Sequence, residues 1–139
     1  MGAIPDDGLF RYSGGGVDHT RALMYMHGGG HNDHWWNGIV QFDFNGSANA
    51  GGFSLVPGSD SAFNLAQQNV DQYSDGRPTS IHSYDNVAID WIGNYFIRNG
   101  GSSFSPGGGP TARAWRFNLG TGSWGSSISG DMGSSSDHL

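Results

Sequence analysis

The sequence predicts an all-β protein built from short antiparallel strands, and three observations carry that expectation. Glycine supplies 25 of the 139 residues, and each glycine inside a helix costs roughly 1 kcal/mol relative to alanine. Apolar residues make up 35% of the chain, too few for a typical helical or α/β core, whereas the 13% of aromatics is too high for a disordered chain. Finally, apolar and polar side chains alternate in Val40-Gln41-Phe42-Asp43-Phe44 and again in Trp115-Arg116-Phe117-Asn118-Leu119, the period of a strand with one buried face.

The charges agree with turn-linked strands. All six basic residues are Arg and all twelve acidic residues are Asp, so Lys and Glu, both helix formers, do not occur. The short Asp side chain bonds to nearby backbone and suits turns. A net charge of -6 argues against nucleic acid or an anionic membrane as partner. No apolar run approaches the ~20 residues that span a bilayer, so membrane insertion is not expected. Cysteine is absent, which excludes a disulfide framework, a thiolate metal site and a Cys nucleophile. The first ten residues, MGAIPDDGLF, lack the basic start and apolar stretch of a signal peptide. Scarce Lys with abundant Asn, Ser and aromatics nevertheless points to a secreted or periplasmic setting.

Two segments share one grammar. The first runs Arg21 to Phe53, with the apolar stretch ALMYM, the glycine run Gly28-Gly29-Gly30, the loop HNDHWWN, the strand GIVQFDFN and an aromatic at Phe53. The second runs through HSYDNVAID, NYFIRNGG, the loop SSFSPGGGPT, the strand ARAWRFNLGTG and an aromatic at Trp124. Asp43 aligns with Asn118, 75 residues on, and the glycines at 29-30 align with those at 100-101. Ile39-Val40 and Tyr95-Phe96-Ile97 are continuous apolar runs suited to strands covered on both faces. Asp43 and Asn118, each followed closely by Gly, mark hairpin turns into a fourth strand. Glycine pairs at strand ends permit positive φ and close sheet approach.

These motifs resemble the kelch and galactose-oxidase-type β-propellers. The likeness rests on HGGGHNDHWWNGIVQFDFN in the first unit, and on GRPTSIHSYDNVAID, IRNGG and AWRFNLGTGSW in the second. Kelch blades carry a double glycine after strand two, an aromatic-Asp pair in strand three and a Trp opening strand four. Gly100-Gly101, Phe117-Asn118 and Trp124 follow that pattern with Asn in place of Asp, while Phe53 stands where Trp is usual. The repeat is longer than the usual kelch unit of about 50 residues, and the excess falls in the Ser/Asn/Gln-rich stretch between Pro57 and Arg77. The resemblance implies four-stranded antiparallel blades in an incomplete propeller, and SGGGVDHTRALMYMHGGGHND, similar to the opening of one such blade, implies strand one at Ser13 to Val17 and strand two at Arg21 to Met26. It gives an N-terminal segment at 1–10, a first blade at 11–56, an inter-blade insertion at 57–79, a second blade at 80–126 and the start of a third at 127–139. Closing a ring takes about four blades or more, so the remaining blades are expected in the same or another chain.

Candidate ligand-binding residues are His31, Asn32, Asp33, His34, Trp35 and Trp36 on the first long loop, together with His82. Trp rings beside Asn, Asp and His offer an apolar surface with a polar edge, which suits a sugar ring. A metal reading of His27, His31, Asp33 and His34 would need neutral imidazoles and a carboxylate converging at ~2.0–2.2 Å from one ion; the alternative is a loop whose polar side chains bond to turn backbone. No metal or other cofactor is expected. The resemblance to galactose oxidase would imply copper and a Tyr–Cys cofactor, which a chain without Cys does not form. No Ser lies in a G-x-S-x-G context, and the glycine runs at 14-16, 28-30 and 107-109 lack the Lys and helix of a phosphate loop. The expectation is therefore a non-catalytic propeller module that binds a protein or carbohydrate ligand through its loops. The alternative is part of a kelch-type carbohydrate-active enzyme, oxidase- or epimerase-like, with catalytic residues partly outside the chain.

Overall fold

The computed structural model describes residues 13–28, 35–46, 52–62, 67–103, 109, 111 and 113–129. They form antiparallel sheets, and no helix among them is long and apolar enough to cross a membrane. The first sheet is a four-stranded meander of β1 (Ser13–Asp18), β2 (Leu23–Gly28), β3 (Ile39–Asp43) and β4 (Phe53–Leu55), in that spatial order. After β5 (Ile81–His82) comes a second meander of β6 (Val87–Asp90), β7 (Tyr95–Asn99), β9 (Arg113–Asn118) and β10 (Ser123–Trp124). β8 (Ser102–Ser103) pairs with β5 in a two-stranded sheet of its own, and β11 (Ile128–Ser129) extends the outer edge of β9.

Each hairpin is closed by an Asx side chain at the end of its first strand. Asp18 Oδ1 accepts from Thr20 N at 2.9 Å and Arg21 N at 3.1 Å, and Asp43 Oδ1 from Asn45 N at 2.8 Å. In the second sheet Asp90 Oδ1 accepts from Gly93 N at 2.8 Å, and Asn118 Oδ1 from Gly120 N and Thr121 N, both at 2.9 Å. A side-chain oxygen one carbon from the backbone reaches these amides, and a longer Glu does not hold the same geometry. The exclusive use of Asp among the acids thus has a structural reason.

The two meanders are equivalent strand for strand. Val17, Met24, Phe42 and Phe53 pair successively across β1 to β4. Ile89, Phe96, Phe117 and Trp124 form the same row across the second sheet. The core lies between the sheets, where Leu23, Tyr25, Ile39 and Val56 of the first half meet Val87, Ile89, Phe96, Phe117, Leu119 and Trp124 of the second. These are opposite faces of equivalent sheets, so the contact is head-to-tail. Equivalent hairpin tips accordingly lie side by side. The rings of His19 and Trp91 are 5.2 Å apart, and Arg21 Nη1 donates to Asn94 Oδ1 at 2.6 Å.

The alternating patterns in β3 and β9 have different outcomes. Trp115 and Phe117 are fully buried, as the alternation predicts, with Arg116 outward. In the first sheet Val40 is buried, but Phe42 is only partly covered and Phe44 is 54% exposed. The difference is positional, because the face carrying Phe42 points away from the second sheet. Ile39 and Val40 are both fully buried, as their continuous apolar run predicts.

Close approach of the two sheets depends on glycine in β1. A Cβ on Gly14 would sit 1.5 Å from the carbonyl oxygen of Tyr84, and one on Gly16 2.8 Å from Ile89 Cγ1. Gly14→Ala is expected to destabilise by about 1–3 kcal/mol, since overpacking a tight contact shifts backbone. Gly125→Ala, where the nearest atom is Arg116 O at 3.6 Å, is the control and should stay within about 0.5 kcal/mol. Urea unfolding of both variants checks the difference; equal midpoints would refute the close approach.

Candidate functional site

The connection between the sheets, expected as a polar insertion, is fastened down by buried polar side chains. Asn37 is fully buried; its Nδ2 donates to Ser61 Oγ at 2.9 Å and Pro78 O at 2.7 Å, and its Oδ1 accepts from Ser61 N at 2.8 Å. Ser59 Oγ donates to Val56 O at 2.7 Å and accepts from Ile39 N at 2.9 Å. Tyr73, 1% exposed, donates its hydroxyl to Trp35 O at 2.6 Å. Burial pushes the Tyr73 phenol above its ordinary pKa.

His31, Asn32, Asp33 and His34 lie outside the described residues. Trp36 is 3% exposed and packs with Val40 against Trp35 and Leu55, so its ring fills a core rather than a ligand surface. Trp35 is half-buried and held by Tyr73. His82 is buried on β5, outside the second meander, paired with Ser102 and facing Tyr84 with ring centroids 5.6 Å apart. The Tyr73 hydroxyl also accepts from Ser80 N at 3.4 Å, two residues before His82. Among the described residues no three His, Cys, Asp or Glu side chains group as metal ligands.

His27, a member of the expected loop cluster, points into the core instead. Its Nδ1–H donates to Gly38 O at 3.1 Å, and its ring lies 5.9 Å from both Phe96 and Trp124. Burial, aided by the nearby Arg98 guanidinium, pushes its pKa down to about 3. Ser83 is likewise structural: its hydroxyl donates to His27 O and accepts from Gly14 N at 2.6 Å. Asp18 is also engaged. Burial alone would raise its pKa, but hydrogen bonds from Thr20 and Arg21 outweigh that and hold it at about 2.

Two features escape a sequence reading. Arg98 is fully buried on β7 and donates to Thr79 O, while its Nε and Nη2 find no partner among the described residues. Burial pushes its pKa down to about 9, which leaves it charged at neutral pH. Alternation from Phe96 to Arg98 is the signal that would have placed it inward. The second is a cleft of about 230 Å³ lined by Gly58, Asp75, Gly76, Arg77, Gly122, Ser123 and Trp124. Arg77 Nη1 pairs with Asp75 Oδ2 at 2.7 Å, and hydrogen bonds from Arg77 keep the Asp75 carboxyl below its ordinary pKa despite partial burial. Trp124 Nε1 donates to Ser59 O at 2.8 Å, fixing the indole beside this ion pair. The cleft joins an aromatic edge to paired charges, a combination able to hold a small polyhydroxylated ring.

Comparison with protein-family models, curated proteins and solved structures found no match to this chain.

Because His27 is neutral when folded and has an ordinary pKa of 6.5 when unfolded, the unfolded chain takes up the proton first as pH falls. Stability from this group is full above pH 6.5 and is lost progressively down to about pH 3. Lowering the pH from 7 to 5 should therefore cost about 2 kcal/mol of unfolding free energy. In His27→Gln, whose amide keeps a donor for Gly38 O, that loss should vanish. Equal slopes for both proteins in denaturant titrations would show that His27 is not buried neutral.

Proposed function

We propose that the two meanders are blades of a kelch-type β-propeller, and that the chain is a non-catalytic binding module presenting connecting loops to a protein or glycan ligand. One observation carries the blade reading: equivalent sheets stack head-to-tail, with equivalent hairpin tips adjacent at 19–22 and 91–94. Sandwiches join unlike sheets face to face, whereas propellers repeat one sheet by rotation, so each sheet offers opposite faces to its two neighbours. Twin four-stranded meanders with Asx-closed hairpins support the same assignment.

Position supports the binding reading. The connections after β2, β4 and β7 are long while the hairpins after β1, β6 and β9 are tight, and the Asn37 and Tyr73 bonds join the long connections to one another. The Asp75–Arg77–Trp124 cleft favours a glycan over a protein at this surface. Its guanidinium and carboxylate would bond vicinal hydroxyls while the indole edge borders the sugar ring.

A glycan array followed by calorimetry tests this. Binding without turnover is expected, weakened at least tenfold by Arg77→Ala while the thermal midpoint shifts little, because the Arg77 side chain is one-third exposed and such pairs contribute only about 0–1 kcal/mol. Trp35→Ala should weaken binding as well. Sugar oxidation or epimerisation by the chain, or glycan affinity untouched by Arg77→Ala, would overturn the reading.

A further inference from the structure

We propose that Asn45 is a site of spontaneous deamidation, and that the fold confines this modification to one of the chain's three Asn-Gly pairs. The pairs are Asn37-Gly38, Asn45-Gly46 and Asn99-Gly100. The chemistry is the same at each. The backbone nitrogen of the glycine attacks the asparagine Cγ, and a new C–N bond closes a succinimide ring. The side-chain amide leaves as ammonia, carrying off the proton that the backbone nitrogen gives up. Water then opens the ring at either carbonyl to leave aspartate or isoaspartate, so solvent is the one co-reactant. A following glycine is the least hindered residue for this attack, because it opens the widest range of backbone conformations. What remains is whether the fold lets the nitrogen reach the Cγ, since proximity and orientation set the rate of an intramolecular step.

The three pairs differ in how their reacting atoms are held. Asn37 is fully buried and its amide is engaged at both ends. Nδ2 donates to Ser61 Oγ and Pro78 O at 2.9 and 2.7 Å, and Oδ1 accepts from Ser61 N at 2.8 Å. Gly38 beside it is wedged by Trp36, whose ring would lie 2.1 Å from a Cβ there. Asn99 ends β7 opposite Ala114, and the nucleophile it needs, Gly100 N, donates to Arg113 O at 3.2 Å across the ladder. Asn99 N donates to Asn86 O at 2.7 Å, so the peptide units on both sides of Asn99 are bonded to other segments. The remaining pair lies in the turn after β3, where Asn45 and Gly46 are both exposed. Its backbone bonds run to a single residue of the same turn: Asn45 N donates to Asp43 Oδ1 at 2.8 Å and Gly46 N to Asp43 O at 3.2 Å. Solvent-exposed bonds within one turn open at far lower cost than bonds between core strands. Gly46 N is therefore released to attack where Gly38 N and Gly100 N are not. Conversion adds one more negative charge to a chain already at -6, two residues from Asp43, and isoaspartate lengthens the turn backbone by a methylene. Repulsion from Asp43 then loosens the Asx turn, while the strands it joins keep their pairing from Phe42–Phe53 inward. This inference does not depend on the blade or ligand readings.

Incubation of the full chain in mildly alkaline buffer, which favours loss of the backbone N–H proton, tests it. Tandem mass spectrometry reads conversion at each Asn-Gly pair, and near-UV circular dichroism confirms native packing throughout. In the folded chain Asn45 should convert at least tenfold faster than Asn37 and Asn99. In denaturant the three rates should converge, because the same dipeptide is then equally free at each position. Gly46→Ala, whose Cβ would meet Asp43 O at 3.2 Å, should slow conversion of Asn45 at least tenfold and leave the other two unchanged. If that variant loses native packing, Asn45→Gln replaces it, and conversion at residue 45 should fall by as much. A natively packed chain in which Asn37 or Asn99 converts as fast as Asn45 would overturn the proposal. Rates that keep the same ratios in denaturant would overturn it too, since the ranking would then owe nothing to the fold.

Discussion

The structure depends on how closely β1 approaches the second sheet. A strand reading Gly14-Gly15-Gly16 has almost no side chain to hold it, so its position is fixed from outside. Ser83 does this with one hydroxyl, accepting from Gly14 N and donating to His27 O. That places the 83–87 backbone where any Cβ on Gly14 would collide with it. Once this spacing is set, Ile89 and Val87 reach the Tyr25 and Ile39 face, and Trp124 closes the far side by bonding to Ser59 O. Apolar burial supplies the driving force, but the register of one sheet on the other is set by glycine and a buried serine.

Polar burial at this seam has a cost that must be met locally, since an unpaired buried group loses its hydration without compensation. Asn37, Ser59 and Ser61 meet it almost completely with one another and with backbone. His27 and Arg98 meet it only in part. For His27 the response is neutrality, which ties folding to pH. Arg98 keeps its charge, held by the Thr79 carbonyl and by the attraction of Asp71. The same bonds that satisfy these groups fasten the long connections in place, so the loop surface inherits its shape from the seam.

Much of this was legible in the sequence, and the reasons differ by element. Hairpins were readable because Asx-Gly turns act over two or three residues, and Asp43 and Asn118 occupy the aligned positions expected of them. The strand at Ser13–Asp18 was legible only through resemblance, its glycines carrying no pattern, whereas that at Tyr95–Asn99 followed from a continuous apolar run and the glycines after it. Residue 82 was harder. His82 lies in a short separate pairing with Ser102, a long-range contact that local pattern does not encode. Trp36 was misleading for a related reason: a loop Trp beside Asn and His looks like a sugar platform until the chain places Val40 and Leu55 beneath it. Asn37, in the same loop, is a fully buried brace that no local pattern marks. The exposure of Phe42 and Phe53 was invisible too, because alternation shows which side chains share a face but not whether anything covers it.

The head-to-tail relation of the two sheets is the central claim, and proton NMR tests it most directly. Nuclear Overhauser contacts between the ring protons of His19 and Trp91, whose centroids lie 5.2 Å apart, are expected together with contacts between Arg21 and Asn94. Their presence would place equivalent hairpin tips side by side, as rotation of one repeated sheet requires. A spectrum that joins His27 to Trp124 but puts the tips at 19–22 and 91–94 out of reach of each other would contradict the account and leave an ordinary sandwich.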